Sequence, residues 1–195
     1  MKKIILASSS PRRKELLEKT GLKFEVEPAD YIEDLNSDLE PHELAKKLSL
    51  EKARIVAKNN PDAIVIAADT IGVLKGKIIG KPRNEAEAKR ILRRLSGKSH
   101  LVITGFTILD AEHGKTTTQT VDTLVYFRKL TGSEIDAYVR TGEPLDKAGA
   151  YGIQGLGAAL VDHIDGDYDN VVGLPLIAVV ENLKEFGINY MFSRK

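Results

Sequence analysis

The run Ala63-Ile-Val-Ile-Ala-Ala68 is apolar at every position, and this restricts the fold more than any other feature of the chain. A strand with one face in water alternates polar and apolar residues. A strand apolar on both faces has to be covered on both, as the central strand of a layered α/β sheet is. Helical patterns flank it. Pro41 opens a segment carrying Leu44, Leu48 and Ile55 that closes at Asn59-Asn60-Pro61. Asn84-x-x-Glu87 resembles a capping box ahead of Ala88, Ile91, Leu92 and Leu95, which predicts a helix from Asn84 to Leu95. Asp69 and Thr70 are expected to follow the apolar run at its C-terminal end, where open α/β sheets place their ligands.

The first residues repeat the pattern on a smaller scale. Lys3 to Ala7 is a short apolar strand, Ser8-Ser9-Ser10 a loop, and Leu16 and Leu17 lie among charged residues as on a one-sided helix. Ser10 suits the N-cap, Pro11 the first helical position and Gly21 the C-cap. Such a strand, loop and helix direct backbone N–H groups and the positive end of the helix at whatever occupies the loop. Lys75-Gly76-Lys77 reads as a hairpin turn. The β-branched content between Leu101 and Phe127, with alternation at Val121, Thr123, Val125 and Phe127, predicts two strands. Gly149 to Gly157 is too rich in glycine for regular structure, and Val171 to Phe186 is expected to form one final helix with Pro175 in its early part.

The 195 residues suffice for a real core, in one domain or one domain with two lobes. Cysteine is absent, which removes disulfides, thiolate metal sites and cysteine nucleophiles from consideration. The apolar run Ile4 to Ala7 is far too short for a signal peptide, and no stretch approaches the roughly 18 apolar residues of a membrane span, so a cytoplasmic protein without membrane contact is expected. Lysine and arginine number 29 against 28 acidic residues, a balance that argues against a broad basic face for a nucleic acid polymer. A small anion remains compatible, since it needs only a few cations gathered in one place.

The sequence holds no G-x-x-x-x-G-K-[ST] loop, no H-E-x-x-H and no G-x-S-x-G elbow. His42, His100, His113 and His163 show no ligand spacing and read as surface or structural residues. Gly152-Ile-Gln-Gly-Leu-Gly157 superficially matches a dinucleotide loop but lacks the helix and acidic partner that such a loop requires. Candidates for chemistry are therefore acids and bases at strand ends and loops. Asp69 directly after an apolar strand needs a partner to be buried, and it suits either a capping role or a catalytic one. Arg12 and Arg13 beside the serine loop suit phosphate, or a solvated helix face; Lys52 and Lys81 carry the same ambiguity.

Taken together, these residues resemble the Maf family of nucleoside triphosphate pyrophosphatases. The resemblance is carried by Leu6-Ala-Ser-Ser-Ser-Pro-Arg-Arg13 with Glu15-Leu-Leu17, Glu33 after Asp30, Glu51-Lys-Ala53, Ala67-Ala-Asp-Thr70, Gly80-Lys-Pro82 and Thr104-Gly105. Asp146-Lys-Ala-Gly-Ala-Tyr-Gly-Ile-Gln-Gly155, Gly166-Asp-Tyr168 and Asn170-Val-Val-Gly-Leu-Pro175 extend it along nearly the whole chain. It implies a single domain over 1–195 with an α/β fold like that of the inosine triphosphate pyrophosphatases: a strongly twisted mixed β-sheet, flanking helices, and two lobes around a nucleotide cleft. It also implies dependence on a divalent metal cation, Mg2+ or Mn2+, and a homodimer.

The resemblance implies roles as well. Asp69 matches the family's catalytic aspartate and would orient or deprotonate the attacking water, Glu33 would help hold the metal, and those two assignments could be exchanged. Lys52, Lys81, Arg12 and Arg13, with Ser8 and Ser10, would meet the phosphates. Arg12, Thr70 and Gln154 stand at the specificity positions of the branch acting on dTTP and UTP; a carboxamide complements the N3–H and O4 edge of thymine or uracil. A sister branch acting on 7-methyl-GTP has tryptophan in place of Arg12. Two other readings accompany this one: a hydrolase of broad specificity, and a nucleotide-binding regulator of septum formation or cell division that does not turn over its ligand.

Overall fold

The structure, a computed structural model, describes residues 2–31 and 39–189. Among the described residues, seven strands form one mixed sheet in the order β2-β1-β3-β5-β6-β7, with β4 paired to β3. They are β1 (Lys3–Leu6), β2 (Glu25–Val26), β3 (Ala63–Leu74), β4 (Lys77–Ile79), β5 (Ser99–Asp110), β6 (Thr116–Phe127) and β7 (Val161–Gly166). The helices are α1 (Pro11–Glu18), α2 (Pro41–Asn59), α3 (Glu85–Leu95), α4 (Gly132–Arg140), α5 (Tyr168–Val172) and α6 (Leu176–Leu183). The expected α/β class with a mixed sheet is what the chain adopts. No helix among the described residues is long and apolar enough to cross a membrane.

The chain divides into two compact units. The first comprises Met1–Asp69, Thr104–Val121 and Gly173–Lys195; the second comprises Thr70–Ile103 and Asp122–Val172. In the first, β1 runs parallel to β3 from Lys3 opposite Ala63 to Leu6 opposite Ile66, and parallel to β2. Ala63, Val65 and Ala67 on one face of β3 pack with Ile5 and Ala7 beneath Ala53 and Val56 of α2. Ile64, Ile66 and Ala68 on the other face are fully buried too, as a run apolar on both faces demands. Each fully buried valine or isoleucine side chain among them contributes about 1.5 to 3 kcal/mol. Glycine at 105 lets β5 meet α2 closely: a Cβ there would lie 2.2 Å from the Ala45 carbonyl oxygen.

In the second unit, β3 turns into β4 through Lys75 and Gly76, both at positive φ (52° and 73°), which is the hairpin geometry the Lys-Gly-Lys sequence predicts. Asn84 caps α3 by accepting from the Glu87 N–H at 2.9 Å, while the Glu87 carboxylate reaches back to the N–H of Arg83. Ala88, Ile91, Leu92 and Leu95 then pack against Phe127, Leu130 and α4's Ile135 and Val139. At the far side of this unit β7 pairs antiparallel with β6.

Three expectations are corrected. Asp69 and Thr70 do not follow a strand; β3 runs on through both to Leu74, because Ile71-Gly-Val-Leu74 resumes the apolar pattern and Gly72 to Leu74 pair with β4. Val171 to Phe186 is not one helix. Gly173 at φ 131° and Pro175 divide it into α5 and α6, followed by a 3-10 turn over Lys184–Phe186. On α2 the buried stripe is Leu44, Ala45, Leu48, Ser49, Lys52, Ala53 and Val56, with Ile55 only on its flank.

Candidate active site

The loop between β1 and α1 is held by its own serines. The Ser8 N–H bonds to the Leu6 carbonyl at 3.0 Å, the buried Ser8 Oγ accepts from the Ser10 N–H at 3.1 Å, and Ser10 Oγ accepts from the Arg13 N–H at 3.5 Å. Ser10 is thus the N-cap that its position before Pro11 predicts. Arg13, half-buried, donates from Nε to the carbonyl of Gly173 at 2.7 Å. Gly173 owes that carbonyl orientation to a positive φ which L side chains rarely adopt. The Asn170-to-Pro175 motif therefore has a local purpose: it breaks the helix and fixes Arg13. Arg12 is half-buried one residue earlier on the same first turn.

Lys52 and Asp69 meet because two periodicities coincide. On β3 the residues facing α2 are Ala63, Val65 and Ala67, so Asp69 is next in that row. On α2 the buried stripe places Lys52 one turn before Val56. Lys52 Nζ donates to Asp69 Oδ1, and the side chains retain only 11% and 6% of their exposure. Taking both charges out of water costs several kcal/mol per ion before their attraction is counted. A stable sheet gains nothing by this at a position where the strand is otherwise apolar. Charged pairs placed in such surroundings are concentrated at functional sites. Next to Lys52, Ser49 donates to the Lys46 carbonyl and lies 2.9 Å from Thr107 Oγ1, so this part of α2 is tied to β5 by a hydroxyl contact as well as by the Gly105 approach.

Ser8, Ser10, Arg12, Arg13, Lys52 and Asp69 all belong to the first unit. Thr70, half-buried, is the first residue of the second, which also carries Lys81 and Gln154, both exposed. Lys81 follows Gly80, whose carbonyl accepts from the Gly149 N–H at 3.2 Å. Glu33 lies outside the described residues.

Two residues of the second unit stand out only in the structure. Tyr138, on α4, donates its hydroxyl to Glu143, and both are tied to the glycine-rich stretch that contains Gln154. The signal for α4 was present: Thr131 and Glu134 form a complete capping box, the S/T-x-x-E pattern that marks a helix start. Burial pushes the Tyr138 hydroxyl's pKa up and the accepting Glu143 adds to this, while the Gly152 N–H opposes it. His100 is buried against Phe127 and Tyr151, with Nε2 3.2 Å from the Tyr151 hydroxyl, and burial brings its pKa down to about 4.

One acidic cluster resembles a metal site without suiting one. Asp110, Glu112 and His113 come together at the β5–β6 turn, but the Lys2 ammonium stands 2.8 Å from Asp110 Oδ2 and 2.9 Å from Glu112 Oε2. A cation of the chain's own already satisfies them.

Comparison with known proteins agrees with the motifs. A family profile described as Maf-like protein matches residues 3–186. A dTTP/UTP pyrophosphatase of Bacillus cereus is 52% identical over 189 residues, spanning 97% of this chain and 92% of its own. A dTTP/UTP pyrophosphatase of Moorella thermoacetica is 50% identical over 189 residues, spanning 97% of each. Among solved structures, a HAM1 protein from Coxiella burnetii aligns over 65% of this chain and 73% of its own, with 18% identity and a TM-score of 0.49.

Proposed function

The chain belongs to the Maf family, and we propose that it is a nucleoside triphosphate pyrophosphatase that hydrolyses dTTP and UTP to the nucleoside monophosphate and pyrophosphate. The observation that carries this reading is the buried Lys52–Asp69 pair on facing rows of α2 and β3. Half-length relatives or a lone domain match would leave the activity open; here relatives named for it align over 97% of the chain.

The chemistry follows from charge. A nucleoside triphosphate carries about four negative charges, so water attacking the α-phosphorus meets repulsion that fixed cations must offset. Arg12 and Arg13, at the start of α1 beside Ser8 and Ser10, offer guanidinium forks that suit phosphate oxygens. Lys81 is assigned to the phosphates as a point charge. Asp69, held through Oδ1 by Lys52, accepts a proton from water or orients it. The new bond joins that water's oxygen to the α-phosphorus, and the bond to the oxygen bridging the α- and β-phosphates breaks, releasing pyrophosphate.

A divalent cation, Mg2+ or Mn2+, belongs to this reading. Carboxylates are hard oxygen donors, and magnesium is commonly held by one or two carboxylates together with substrate phosphates. Asp69 supplies one such carboxylate, and Glu33 is assigned as the second. When bound, the ion would neutralise phosphate charge.

For the base, Gln154 offers an acceptor and donors side by side, complementary to the N3–H and O4 of thymine or uracil, with Arg12 and Thr70 as the other specificity residues. An arginine is a poor neighbour for the cationic base of 7-methyl-GTP. The protein acts in the cytoplasm, as a homodimer, on the nucleotide pool. Pyrophosphate release with Mg2+ or Mn2+ from dTTP, UTP, the other common triphosphates and 7-methyl-GTP tests the reading. Preference for dTTP and UTP supports it. A flat profile, a preference for 7-methyl-GTP, or binding without turnover refutes it.

A further inference from the structure

The glycines of Gly152-Ile-Gln-Gly-Leu-Gly157 have no dinucleotide to accommodate, and their surroundings explain why they are glycines. A Cβ at 155 would lie 2.5 Å from Glu143 Oε2, one at 157 would lie 2.6 Å from the Tyr138 hydroxyl oxygen, and one at 152 would lie 2.8 Å from Lys147 Cε. The segment is wrapped onto Glu143 and Tyr138, too closely for any side chain in between.

Hydrogen bonds follow the same course. Glu143 Oε2 accepts from the Leu156 N–H at 2.9 Å, and Oε1 accepts from the Gly157 N–H at 3.0 Å and from the Tyr138 hydroxyl at 2.9 Å. That hydroxyl in turn accepts from the Gly152 N–H at 3.1 Å. Glu143 is itself anchored, its carbonyl accepting from Lys147 Nζ at 2.7 Å. Burial would raise the Glu143 carboxyl, but the Gly157 and Leu156 N–H groups and the Tyr138 hydroxyl outweigh it and hold it below the ordinary glutamate value. The segment is thus clasped on both sides of Gln154: at Gly152 through Tyr138, and at Leu156 and Gly157 through the carboxylate. Gln154 stands exposed between the two clasps.

We propose that Glu143 is a positioning residue for base selection: its carboxylate, with Tyr138, sets the backbone that presents the Gln154 carboxamide to a pyrimidine. This rests on the reading above that Gln154 meets the base. A flexible glutamine on a free glycine-rich loop would lose conformational freedom on binding each substrate. A clasped one has lost it already on folding. The contribution therefore falls on nucleotide affinity and discrimination and not on the phosphate chemistry.

Glu143→Gln keeps the size and one acceptor oxygen but turns an NH2 toward backbone N–H donors, so one clasp fails. Steady-state kinetics of the full chain with dTTP, UTP, dCTP and dATP would show KM for dTTP and UTP raised by about tenfold, more than kcat falls, with the preference over dCTP reduced. Amide exchange over 152–157 would accelerate while the rest of the chain is unchanged. Tyr138→Phe, which removes the other clasp, would act in the same direction and serves if Glu143→Gln folds poorly. Gln154→Ala separates the two claims. Where Gln154→Ala abolishes the preference but Glu143→Gln and Tyr138→Phe leave it intact, the positioning role is refuted and the base reading stands. Where Gln154→Ala leaves the preference unchanged, the base reading fails and the inference with it. A uniform loss on all four nucleotides alongside a lowered Tm would reduce Glu143 to a structural residue and overturn the proposal.

Discussion

Lys52 and Asp69, seventeen positions apart in sequence, form a buried ion pair in which the ammonium of α2 donates to the carboxylate of β3. Neither residue belongs to a hydrophobic layer by its chemistry, yet Asp69 continues an apolar row of β3 and Lys52 lies in the buried stripe of α2, where Ser49 is the other polar residue. The proposed function makes the pair part of a site that handles a polyanion, and its energetics make it testable without any substrate.

Lys52→Met replaces the ammonium with an apolar group of similar length and leaves the Asp69 carboxylate buried without that partner. Removing one member of a buried pair costs about 3 to 5 kcal/mol. Urea denaturation would show that loss, and Lys52→Met combined with Asp69→Asn would recover part of it. A loss under about 1 kcal/mol would mean that the pair is wet in solution and behaves as a surface contact.

Gly105→Ala tests how α2 is placed. The added methyl would lie 2.2 Å from the Ala45 carbonyl oxygen and 2.4 Å from its carbon, so backbone must yield. Overpacking of this kind costs about 1 to 3 kcal/mol. Because α2 also carries Lys52, pyrophosphate release should fall along with Tm. An unchanged Tm would show that α2 moves freely away from β5.

The pH dependence of stability should carry the mark of His100. Its folded-state value is down at about 4, because burial disfavours the charged ring, against an ordinary value of 6.5. The unfolded chain therefore binds the proton first, and stability is lost as pH falls from 6.5 toward 4, by about 3 kcal/mol at about 1.4 kcal/mol per pH unit. Burial would raise Asp110, but hydrogen bonds from Lys2 and His113 bring it to about 2, so its loss comes lower. Thermal unfolding of His100→Gln should show a shallower slope between pH 6.5 and 4 than the parent. Equal slopes would place the titration elsewhere.

Local chemistry was legible in the sequence and long-range chemistry was not. Ser10 before Pro11 and Asn84 before Glu87 announce helix starts because a cap and its donors lie within three residues. The central strand announced itself through its two apolar faces. Its end did not: Asp69-Thr70 looks like a boundary until β4 is seen pairing with the residues beyond. The break at Gly173 is masked by a helical apolar pattern that continues on both sides of it, and Gly and Pro two residues apart are the one local signal of the division. The sequence offers Lys52 and Asp69 as separate candidates; only the facing rows of α2 and β3 join them. Glu143 left no trace, since besides the Tyr138 hydroxyl its carboxylate meets backbone N–H groups thirteen and fourteen residues away, which any sequence possesses.

The most direct measurement is pyrophosphate release from dTTP by Asp69→Asn, with Mg2+ present and folding checked by circular dichroism. Removing a general base or an electrostatic group of this kind lowers turnover by on the order of 10²- to 10⁴-fold, so a folded variant with kcat reduced by at least about a hundredfold is the expected result. A folded variant within a few-fold of the parent would contradict the assignment of the Lys52–Asp69 pair as the reaction centre.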